Sequence, residues 1–364
     1  MKVGILGAGQ LGQMLALAGR RLGVECRLLS PDPHAPAGQF AELIVADYAN
    51  EAALAHFAEG LDVVTYEFES IPVEAVEFVA GKVPVRPPAA ALRTAQDRAE
   101  EKKAFARIGM PAASYTIVDV SRDLRAAAET VGLPALLKTR RHGYDGKGQI
   151  RIDSLSDLER GWVSLGGMPS ILEEIIRFDR ELSLIAVRGG AGEVEFYPPV
   201  ENYHSEGMLR FSFAPAPRMD SQSLERAQQL VRRLLEDLDY TGVLALELFE
   251  KGGELIANEF APRVHNSGHW TIEGADTSQF ENHLRAITGM ELGSTDPCGV
   301  SGMVNVIGRE PDVARLREIP GVHVHMYGKA AAPRRKLGHI TVVADDGDGM
   351  RTAIARVRAV LARV

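Results

Sequence analysis

The chain has 364 residues, of which 45% are hydrophobic and 25% are charged, and its formal net charge is −8. A prior of roughly 150 residues per domain predicts two or three domains. The negative charge argues against a general nucleic-acid binder, and the lack of an apolar run of about 18 residues argues against a membrane span. Because Cys26 and Cys298 form no disulfide or metal pattern, we expect a reducing, cytoplasmic compartment.

Strands and helices alternate from residue 1 to about residue 95. This alternation predicts a parallel, doubly wound α/β sheet, as in Rossmann-like domains. Apolar runs predict strands at residues 3–6, 24–29, 43–45, 62–66 and 83–86. Amphipathic runs predict helices from the first glycine turn to about residue 22, at 51–58 and at 73–80.

The first turn, Gly7-Ala8-Gly9-Gln10-Leu11-Gly12, matches the glycine pattern that lets a phosphate approach a helix N-terminus. A dinucleotide site also requires an acid about 20 residues further on, and here only Asp32 follows, in a proline-rich loop. Three interpretations stay open: a dinucleotide site, a site for another phosphate-bearing ligand, and a tight turn without a ligand. Gln10 and Leu11 lie at the mouth of the predicted crevice.

Two acids, Glu67 and Glu69, follow the fourth predicted strand. The carboxyl ends of parallel strands face the ligand side of such a sheet, so Glu69 is a candidate binding residue. The alternative is a charge at a helix start, because Pro72 stands near the first position of the next helix.

The helix predicted from Asp97 to Phe105 carries a run of charges that is typical of a solvated face. Residues 131–138 then predict a strand ending in Lys138, and a basic loop from Thr139 to Gln149 contains three glycines. Glycine loops wrap phosphates with backbone N–H groups, and lysines neutralise the charge. The loop does not match the common Gly-Lys-Ser/Thr phosphate loop, and a plain hairpin with basic side chains is the alternative.

Further strands are predicted at residues 170–176 and 180–187, and near 193–197 and 208–213, where the last two flank the segment 202–204. Helices are predicted at about 221–237 and 278–288. After Cys298, short strands at 302–307, 323–327 and 339–343 and a helix at 348–363 predict a small C-terminal domain. A basic loop at 333–339 is either a phosphate site or a solvated charge run.

A β-hairpin at residues 243–260 carries the acids Glu247 and Glu259. We expect a three-residue loop, Gly252 to Glu254, because this register sets the two acids opposite each other. It also gathers Leu244, Leu246, Leu248, Ile256 and Phe260 on the other face. Paired carboxylates beside the Asn258 amide suit Mg²⁺, and two solvated surface glutamates are the alternative.

The run from Asn258 to Trp270 adds an arginine, two histidines, a second amide and a serine just where the second strand of the hairpin ends. Together with the lysine-ended strand, the glycine loop and the paired acids, it indicates nucleotide-dependent phosphoryl transfer. That chemistry depends on positioning and charge neutralisation more than on a nucleophilic side chain.

The order and spacing of these motifs resemble the ATP-grasp superfamily over nearly the whole chain. Within it, they resemble the N5-carboxyaminoimidazole ribonucleotide synthetase family, which carboxylates a ribonucleotide in bacterial and fungal purine synthesis. Three segments carry the resemblance: residues 9–12, the loop 143–149, and the run from Asn258 to Trp270. The resemblance implies a three-domain fold, with a preATP-grasp domain at 1–95, an ATP-grasp domain at 96–295 whose lid spans about 110–175, and a C-terminal domain at 296–364.

The resemblance also implies residue roles, which we divide by ligand. Glu247 and Glu259 are expected to hold Mg²⁺ or Mn²⁺, while Asp145, Lys147 and Arg263 are the expected catalytic residues. The expected ATP contacts are Arg98, Lys138, Gly143, Tyr144, Asp145, Gly146, Lys147, Gly148, Gln149, Glu173, Glu174, Ile175, Ile176, Glu181, His204, Asn258 and Glu259. The expected contacts of 5-aminoimidazole ribonucleotide are Gln10, Leu11, Glu69, Tyr144, Asp145, Lys147, Arg263, His265, Asn266, Ser267, Lys329 and Arg335, the last two at its phosphate.

The implied reaction begins with phosphorylation of bicarbonate by ATP to give carboxyphosphate. Carboxyphosphate releases CO₂ in a closed site, and the exocyclic amine of the ribonucleotide captures it. Asp145 is the candidate proton acceptor. A homodimer and transfer of the product to a partner mutase are the further expectations.

Three alternatives are considered from the same motifs. A formate-dependent glycinamide ribonucleotide transformylase would share the glycine turn and the paired acids. A nicotinamide-dependent dehydrogenase would use the turn but leave the lid and the paired acids without a purpose. A nucleotide sensor without catalysis would normally lack a metal carboxylate or the lid lysine, and the chain has both.

Overall fold

The computed structural model describes residues 1–143 and 146–362. Its strands form three sheets: an N-terminal parallel sheet, a small antiparallel sheet and a long antiparallel sheet. This arrangement confirms the predicted α/β architecture with an N-terminal parallel sheet. In the described ranges, no helix has the length and apolar character needed to cross a membrane.

The N-terminal sheet has the strand order β3-β2-β1-β4, and all its strands are parallel. Residues 83–86 were expected to add a strand, but they form only an isolated bridge between Val85 and Val64. Strands and helices alternate here because amphipathic helices pack on the sheet and bury its apolar faces. The elements are β1 (Lys2–Leu6), α1 (Gln10–Leu22), β2 (Glu25–Ser30), β3 (Glu42–Val45), α2 (Glu51–Ala58), β4 (Val63–Tyr66) and α3 (Val73–Ala80).

The small sheet has the order β5-β8-β6-β7 and is antiparallel. The strand expected at 131–138 begins only at Ala135, because Val131 ends a helix and a Gly-Leu-Pro segment follows it. The strand expected to reach residue 176 ends at Glu174. The elements are α4 (Ala89–Ala95), α5 (Arg98–Ile108), β5 (Tyr115–Val118), α6 (Leu124–Val131), β6 (Ala135–Thr139), β7 (Gln149–Ile152), α7 (Leu158–Ser164) and β8 (Ser170–Glu174).

The long sheet has the order β14-β13-β9-β11-β12-β15-β17-β16, with β10 paired to β9. Its first strands, as far as β14, are β9 (Arg180–Arg188), β10 (Val194–Phe196), β11 (Val200–Ser205), β12 (Met208–Ala214), β13 (Gly242–Lys251) and β14 (Glu254–Ala261), with helix α8 (Ser221–Asp237) before β13. Residues 202–204 were expected between strands but lie inside β11.

The C-terminal strands continue the long sheet, because β15 pairs with β12. The remaining elements are α9 (Thr271–Gly274), α10 (Gln279–Thr288), β15 (Val300–Ile307), α11 (Val313–Arg317), β16 (Val322–Met326), β17 (Lys336–Ala344) and α12 (Gly347–Leu361). The largest apolar core joins the N-terminal sheet to the long sheet, since Leu15 of α1, Phe280 of α10 and Val243 of β13 all belong to it. This shared core fixes the end of the parallel sheet beside the hairpin that carries the paired acids.

Candidate active site

The two glutamates of the hairpin lie directly opposite each other, as the sequence predicted: Glu247 on β13 pairs with Glu259 on β14. The expected three-residue loop is wrong. Gly252 and Gly253, both with positive φ, make a two-residue turn of the kind that suits hairpin twist. The pairing is restored because Asn258 is an extra residue in β14, where the ladder shifts by one position.

The shorter turn also changes which apolar side chains share a face. Leu248 and Phe260 belong to the same core, as expected. Ile256, however, pairs with Phe249, on the face of β13 opposite to that of Leu248. Ala257 pairs with Leu248 instead and is buried in that core.

The charges around the paired acids are unequal. Burial, followed by the charge of Glu259, raises the pKa of Glu247 to about 7. Burial opposes ionisation of Glu259 as well, but the guanidinium of Arg98, whose Nη1 lies 3.0 Å from Oε2, lowers the pKa of that carboxyl. A divalent cation would relieve the repulsion at Glu247, and carboxylate oxygens are its preferred ligands. In the described chain, no group of three or more His, Cys, Asp or Glu residues is arranged as a metal site.

The helix α5 presents charged residues to this pair, so the prediction of a solvated helix is wrong for one face. Arg98, Glu101, Lys102 and Phe105 follow the i, i+3, i+4, i+7 spacing of a single helix face. The Glu101 and Lys102 side chains are almost fully buried, whereas Glu100 on the other side is half exposed. Glu101 accepts a hydrogen bond from the Phe260 N–H at 2.7 Å.

Lys138 is buried at the end of β6 beside an acid and a second lysine. Its Nζ lies 2.7 Å from Oε1 of Glu173, while Nζ of Lys102 lies 3.2 Å from Oε2 of the same carboxylate. Burial lowers the pKa of Lys138, and the Glu173 charge opposes that shift. Despite its burial, Glu173 has a lowered pKa because both ammonium groups favour its charged form. This triad places positive charge beside the paired acids of the hairpin.

The glycine loop runs back over the site. A Cβ atom on Gly146 would lie 3.1 Å from Cα of Gly207, so this part of the loop contacts the turn between β11 and β12. A Cβ atom on Gly148 would lie 2.6 Å from Oγ1 of Thr139, and one on Gly143 would lie 3.3 Å from Nη2 of Arg98. The glycines therefore allow close approach of the loop to its neighbours.

The other lid residues are distributed as follows. Lys147 and Gln149 are exposed, and Gln149 begins β7. Tyr144 and Asp145, expected to contact both ligands, lie outside the described residues. The base of the loop is held by Arg140, whose Nη2 lies 2.8 Å from Oδ2 of Asp97.

The predicted hinge lies at the end of β8 in the small sheet, whereas Glu181 and His204 lie on the neighbouring strands β9 and β11 of the long sheet. Glu174 ends β8, and Ile175 and Ile176 follow it, all three partly buried. His204 Nδ1 lies 2.7 Å from Oε2 of Glu181. Although burial opposes protonation, the hydrogen bond with Glu181 raises the pKa of His204.

The glycine turn before α1 holds a carboxylate of the protein itself. Glu67 accepts hydrogen bonds from the Gly9 N–H and, at 2.7 Å, from the Gly12 N–H. A Cβ atom on Gly7 would lie 2.3 Å from Cγ of Glu67. The turn therefore uses its glycines to accommodate Glu67, and the interpretation as a dinucleotide or phosphate site at these two amides is wrong. Burial raises the pKa of Glu67, against the two hydrogen bonds.

The residues after β14 face the end of the parallel sheet. Arg263 Nη2 lies 2.8 Å from Oε1 of Glu69, whereas the buried Nε has no hydrogen-bond partner among the described residues. His265 Nδ1 accepts from the Ser267 N–H, and its Nε2 lies 3.3 Å from Oε1 of Glu247. Burial and then the Arg263 charge lower the pKa of His265, which is therefore neutral.

Asn266 is held by a reciprocal amide pair. Its Nδ2 donates to Oδ1 of Asn305 at 3.1 Å, and Nδ2 of Asn305 donates back at 2.8 Å. Asn305 lies on β15, so the C-terminal strands support the loop that follows the hairpin. Asn266 and Ser267 also begin a short 3₁₀ turn.

The remaining predicted ribonucleotide contacts come from opposite ends of the chain. Lys329 Nζ donates a hydrogen bond to Oε1 of Gln10, at the start of α1. Leu11 is buried beside it. Arg335 is exposed and donates to the Ala330 carbonyl at 3.0 Å. The structure thus brings Gln10 and Lys329 together and leaves Arg335 at the rim.

The sequence interpretation missed four residues that the structure places in this network: Glu67, Glu101, Lys102 and Asn305. Arg98, Glu101 and Lys102 share the helical spacing of the apolar Phe105, and this spacing could have indicated a buried charged face. The two acids after β4 could have suggested an internal partner for the glycine amides. Asn305 lies in a mostly apolar strand, and nothing in the neighbouring sequence indicates its pairing with Asn266.

Three family models match the chain in sequence order. A ribonucleotide synthetase preATP-grasp domain matches residues 1–96, an ATP-grasp domain matches 103–280, and a phosphoribosylaminoimidazole carboxylase C-terminal domain matches 301–353. The chain is 49% identical over 361 residues to an N5-carboxyaminoimidazole ribonucleotide synthase of Pseudomonas aeruginosa, covering 99% of both chains.

Two solved structures are similar over almost the whole chain. N5-carboxyaminoimidazole ribonucleotide synthetase from Thermus thermophilus has a TM-score of 0.95 at 52% identity, with 98% of each chain covered. N5-carboxyaminoimidazole synthase from Aspergillus clavatus, in complex with ADP and 5-aminoimidazole ribonucleotide, has a TM-score of 0.92 at 33% identity, covering 100% of this chain and 99% of that one.

Proposed function

The chain belongs to the N5-carboxyaminoimidazole ribonucleotide synthase family of ATP-grasp ligases, and we propose how its own residues divide the work of that reaction. The enzyme carboxylates 5-aminoimidazole ribonucleotide in an ATP-dependent step of purine biosynthesis. The observation that carries the assignment of roles is the facing pair Glu247 and Glu259, flanked by the cations Arg98 and Lys138.

Glu247 and Glu259 are the proposed holders of Mg²⁺ or Mn²⁺. Two facing carboxylates fit a hard divalent cation. Burial and then the charge of Glu259 raise the pKa of Glu247, and a bound cation would favour its charged form. When bound, the cation neutralises charge on the phosphate oxygens of ATP. The neutral His265 ring lies beside Glu247, with Nε2 3.3 Å from Oε1.

The nucleotide is proposed to lie between the small sheet and the long sheet. Arg98 and Lys138 supply positive charge to its phosphates, and residues 173–176 line the base, as the resemblance implies. The rest of the proposed contact set is Glu181, His204, Asn258, Glu259 and the lid residues 143–149. The contact of Gly146 with the turn at Gly207 supports a lid that excludes water from the reacting atoms.

The ribonucleotide is proposed to lie at the end of the parallel sheet. The unpaired Nε of Arg263 offers a buried donor for an anionic or carbonyl oxygen. Glu69, His265, Asn266 and Ser267 line the same region, while Gln10, Leu11, Lys329 and Arg335 surround the position proposed for the phosphate. Tyr144, Asp145 and Lys147 complete the set, with Asp145 as the proposed acceptor of the amine proton.

Bicarbonate is the proposed phosphoryl acceptor. Its oxygen attacks the γ-phosphorus of ATP, ADP leaves, and the resulting carboxyphosphate breaks down to phosphate and CO₂. The exocyclic amine then bonds to the carbon and loses one proton. Water would hydrolyse carboxyphosphate, so the contacts that close the lid serve the chemistry directly.

Oxygen labelling tests this acceptor. With freshly dissolved ¹⁸O-bicarbonate, Mg-ATP and the ribonucleotide, we expect one ¹⁸O atom per phosphate released, because the attacking oxygen stays on phosphorus. Mass spectrometry of early time points measures the label before bicarbonate exchanges with water, and unlabelled bicarbonate in ¹⁸O-water is the control. Phosphate labelled from water instead would mean direct hydrolysis of ATP.

Assembly and location complete the proposal. A homodimer, transfer of the product to a mutase and the domain limits 1–95, 96–295 and 296–364 remain predictions. The unpaired Cys26 and Cys298 support a reducing cytoplasmic location. The dehydrogenase alternative is disfavoured by Glu67, which uses the amides that a pyrophosphate would need, and the sensor alternative is disfavoured by the intact acid pair. The formate-dependent alternative is disfavoured by the family match.

A further inference from the structure

A β-bulge in β14 decides whether the two acids of the proposed metal site meet. On the turn side of the bulge, Leu248 pairs with Ala257. The same register, continued without interruption, would place Glu247 opposite Asn258 and turn the Glu259 side chain to the other face. The extra residue restores the facing pair, so the geometry of the site depends on this bulge.

Backbone N–H groups on the outer edge of β14 are bonded on both sides of the bulge. The Ala257 N–H donates to the Pro111 carbonyl at 2.7 Å, and the Phe260 N–H donates to Oε1 of Glu101 at 2.7 Å. Along a regular strand, N–H groups on one edge recur every second residue. Here they are three residues apart, which marks the inserted residue, and each is held by the segment containing α5.

The helix α5 also contacts the two residues between these bonds. Nζ of Lys102 lies 3.5 Å from the carbonyl oxygen of Asn258, and Arg98 pairs with Glu259 at 3.0 Å. Glu101 differs from both, because within residues 1–143 and 146–362 its side chain hydrogen-bonds only to the backbone, and it is 2% exposed. β14 is an edge strand of its sheet, so without this acceptor no neighbouring strand would bond the Phe260 N–H.

We propose that Glu101 is a positioning residue of the metal centre: by accepting the Phe260 N–H, it holds the bulge that keeps Glu247 and Glu259 face to face. This inference rests on the proposed binding of a divalent cation by that pair. In this proposal the effect of Glu101 passes through the backbone of β14.

Two conservative variants separate the hydrogen bond from the carboxyl group. Glu101→Gln keeps an oxygen at the same reach but replaces the carboxyl group, whereas Glu101→Asp keeps the carboxyl group and withdraws the oxygen by one methylene. Mn²⁺ binding in the presence of ADP, followed by the electron paramagnetic resonance signal of free Mn²⁺, reports on the site without turnover. We expect the Glu101→Asp variant to bind Mn²⁺ about tenfold or more weakly, as do variants of other residues that support metal ligands. The Glu101→Gln variant should bind Mn²⁺ as tightly as the original chain.

The controls identify which part of the account fails. Glu100→Asp and Glu100→Gln change a half-exposed acid of the same helix, and thermal unfolding of all variants shows that they are folded. Glu259→Gln should abolish Mn²⁺ binding; unchanged binding would reject the metal pair itself, whatever Glu101 does. Suppose that Glu259→Gln abolishes Mn²⁺ binding. If Glu101→Asp and Glu101→Gln then bind Mn²⁺ equally well, or if Glu101→Gln binds it more weakly than Glu101→Asp, Glu101 does not act through this hydrogen bond.

Discussion

The carboxylate of Glu67 lies against the N-terminus of α1, where backbone N–H groups have no partners within the helix. In dinucleotide-binding folds, a ligand phosphate uses such amides. Here a buried side chain does so, and the positive end of the helix dipole stabilises its charge. Gln10 follows Gly9 directly and binds Lys329, so the position of this pair depends on the hydrogen bonds that Glu67 accepts.

We expect Glu67→Gln to destabilise the protein by about 1–3 kcal/mol, because one of two buried N–H donors loses its acceptor. The Michaelis constant for the ribonucleotide should also rise, since Gln10 would no longer be held in place, while the constant for ATP should change little. Urea unfolding and steady-state kinetics measure the two effects. The matched control is Glu74→Gln, an exposed acid on α3. Equal stability of both variants would show that Glu67 is not required at the turn.

The hairpin that carries Glu247 and Glu259 shows what could be predicted at the scale of an element and what could not. The two strands, the turn and the facing of Glu247 and Glu259 followed from alternation and turn residues. The bulge did not, because a regular three-residue loop and a two-residue turn with one extra residue give the same pairing of the two acids. The choice between them depends on contacts from Glu101 and Pro111, which are far away in the sequence.

The helix α5 was misread for a related reason. Its charges are those of a solvated helix, and half of them, such as Glu100 and Lys103, are indeed exposed. Local composition cannot show that Glu101 and Lys102 are buried, because their partners Phe260 and Glu173 belong to other elements. Only the spacing of the charges with Phe105 carried that information.

At the scale of the whole molecule, α10 joins the parallel sheet to the long sheet. His283 on α10 accepts a hydrogen bond from the Val243 N–H through Nδ1 at 3.1 Å, so its Nε2 carries the proton donated to Oγ1 of Thr65 at 2.8 Å. Protonation of Nδ1 would turn it into a donor that faces the Val243 N–H, which is also a donor. Burial lowers the pKa of His283 to about 3.

This pKa predicts a pH dependence of stability. Between the unfolded pKa of about 6.5 and the folded value, the unfolded chain binds a proton at His283 that the folded chain does not. Stability is therefore fully present above pH 6.5 and decreases as the pH falls. We expect the original chain to lose about 2 kcal/mol more unfolding free energy than His283→Gln between pH 7.5 and 5.

Urea unfolding at a series of pH values measures this difference, and His34→Gln, at an exposed position, is the control. The variant at position 283 should be less stable at pH 7.5 but less sensitive to acid. The same slope in the variant and the original chain would show that His283 does not link stability to pH.

The central claim is that one closed site couples ATP cleavage to carboxylation of the ribonucleotide, with Glu247 and Glu259 holding the metal. The most direct test is the rate of ADP release with Mg-ATP and bicarbonate, with and without 5-aminoimidazole ribonucleotide. We predict strong stimulation by the ribonucleotide, and a loss on the order of 10²-fold or more in Glu259→Gln, because phosphate charge is no longer neutralised. A rate of ADP release that does not increase with the ribonucleotide, or that is the same in Glu259→Gln as in the original chain, would contradict the account.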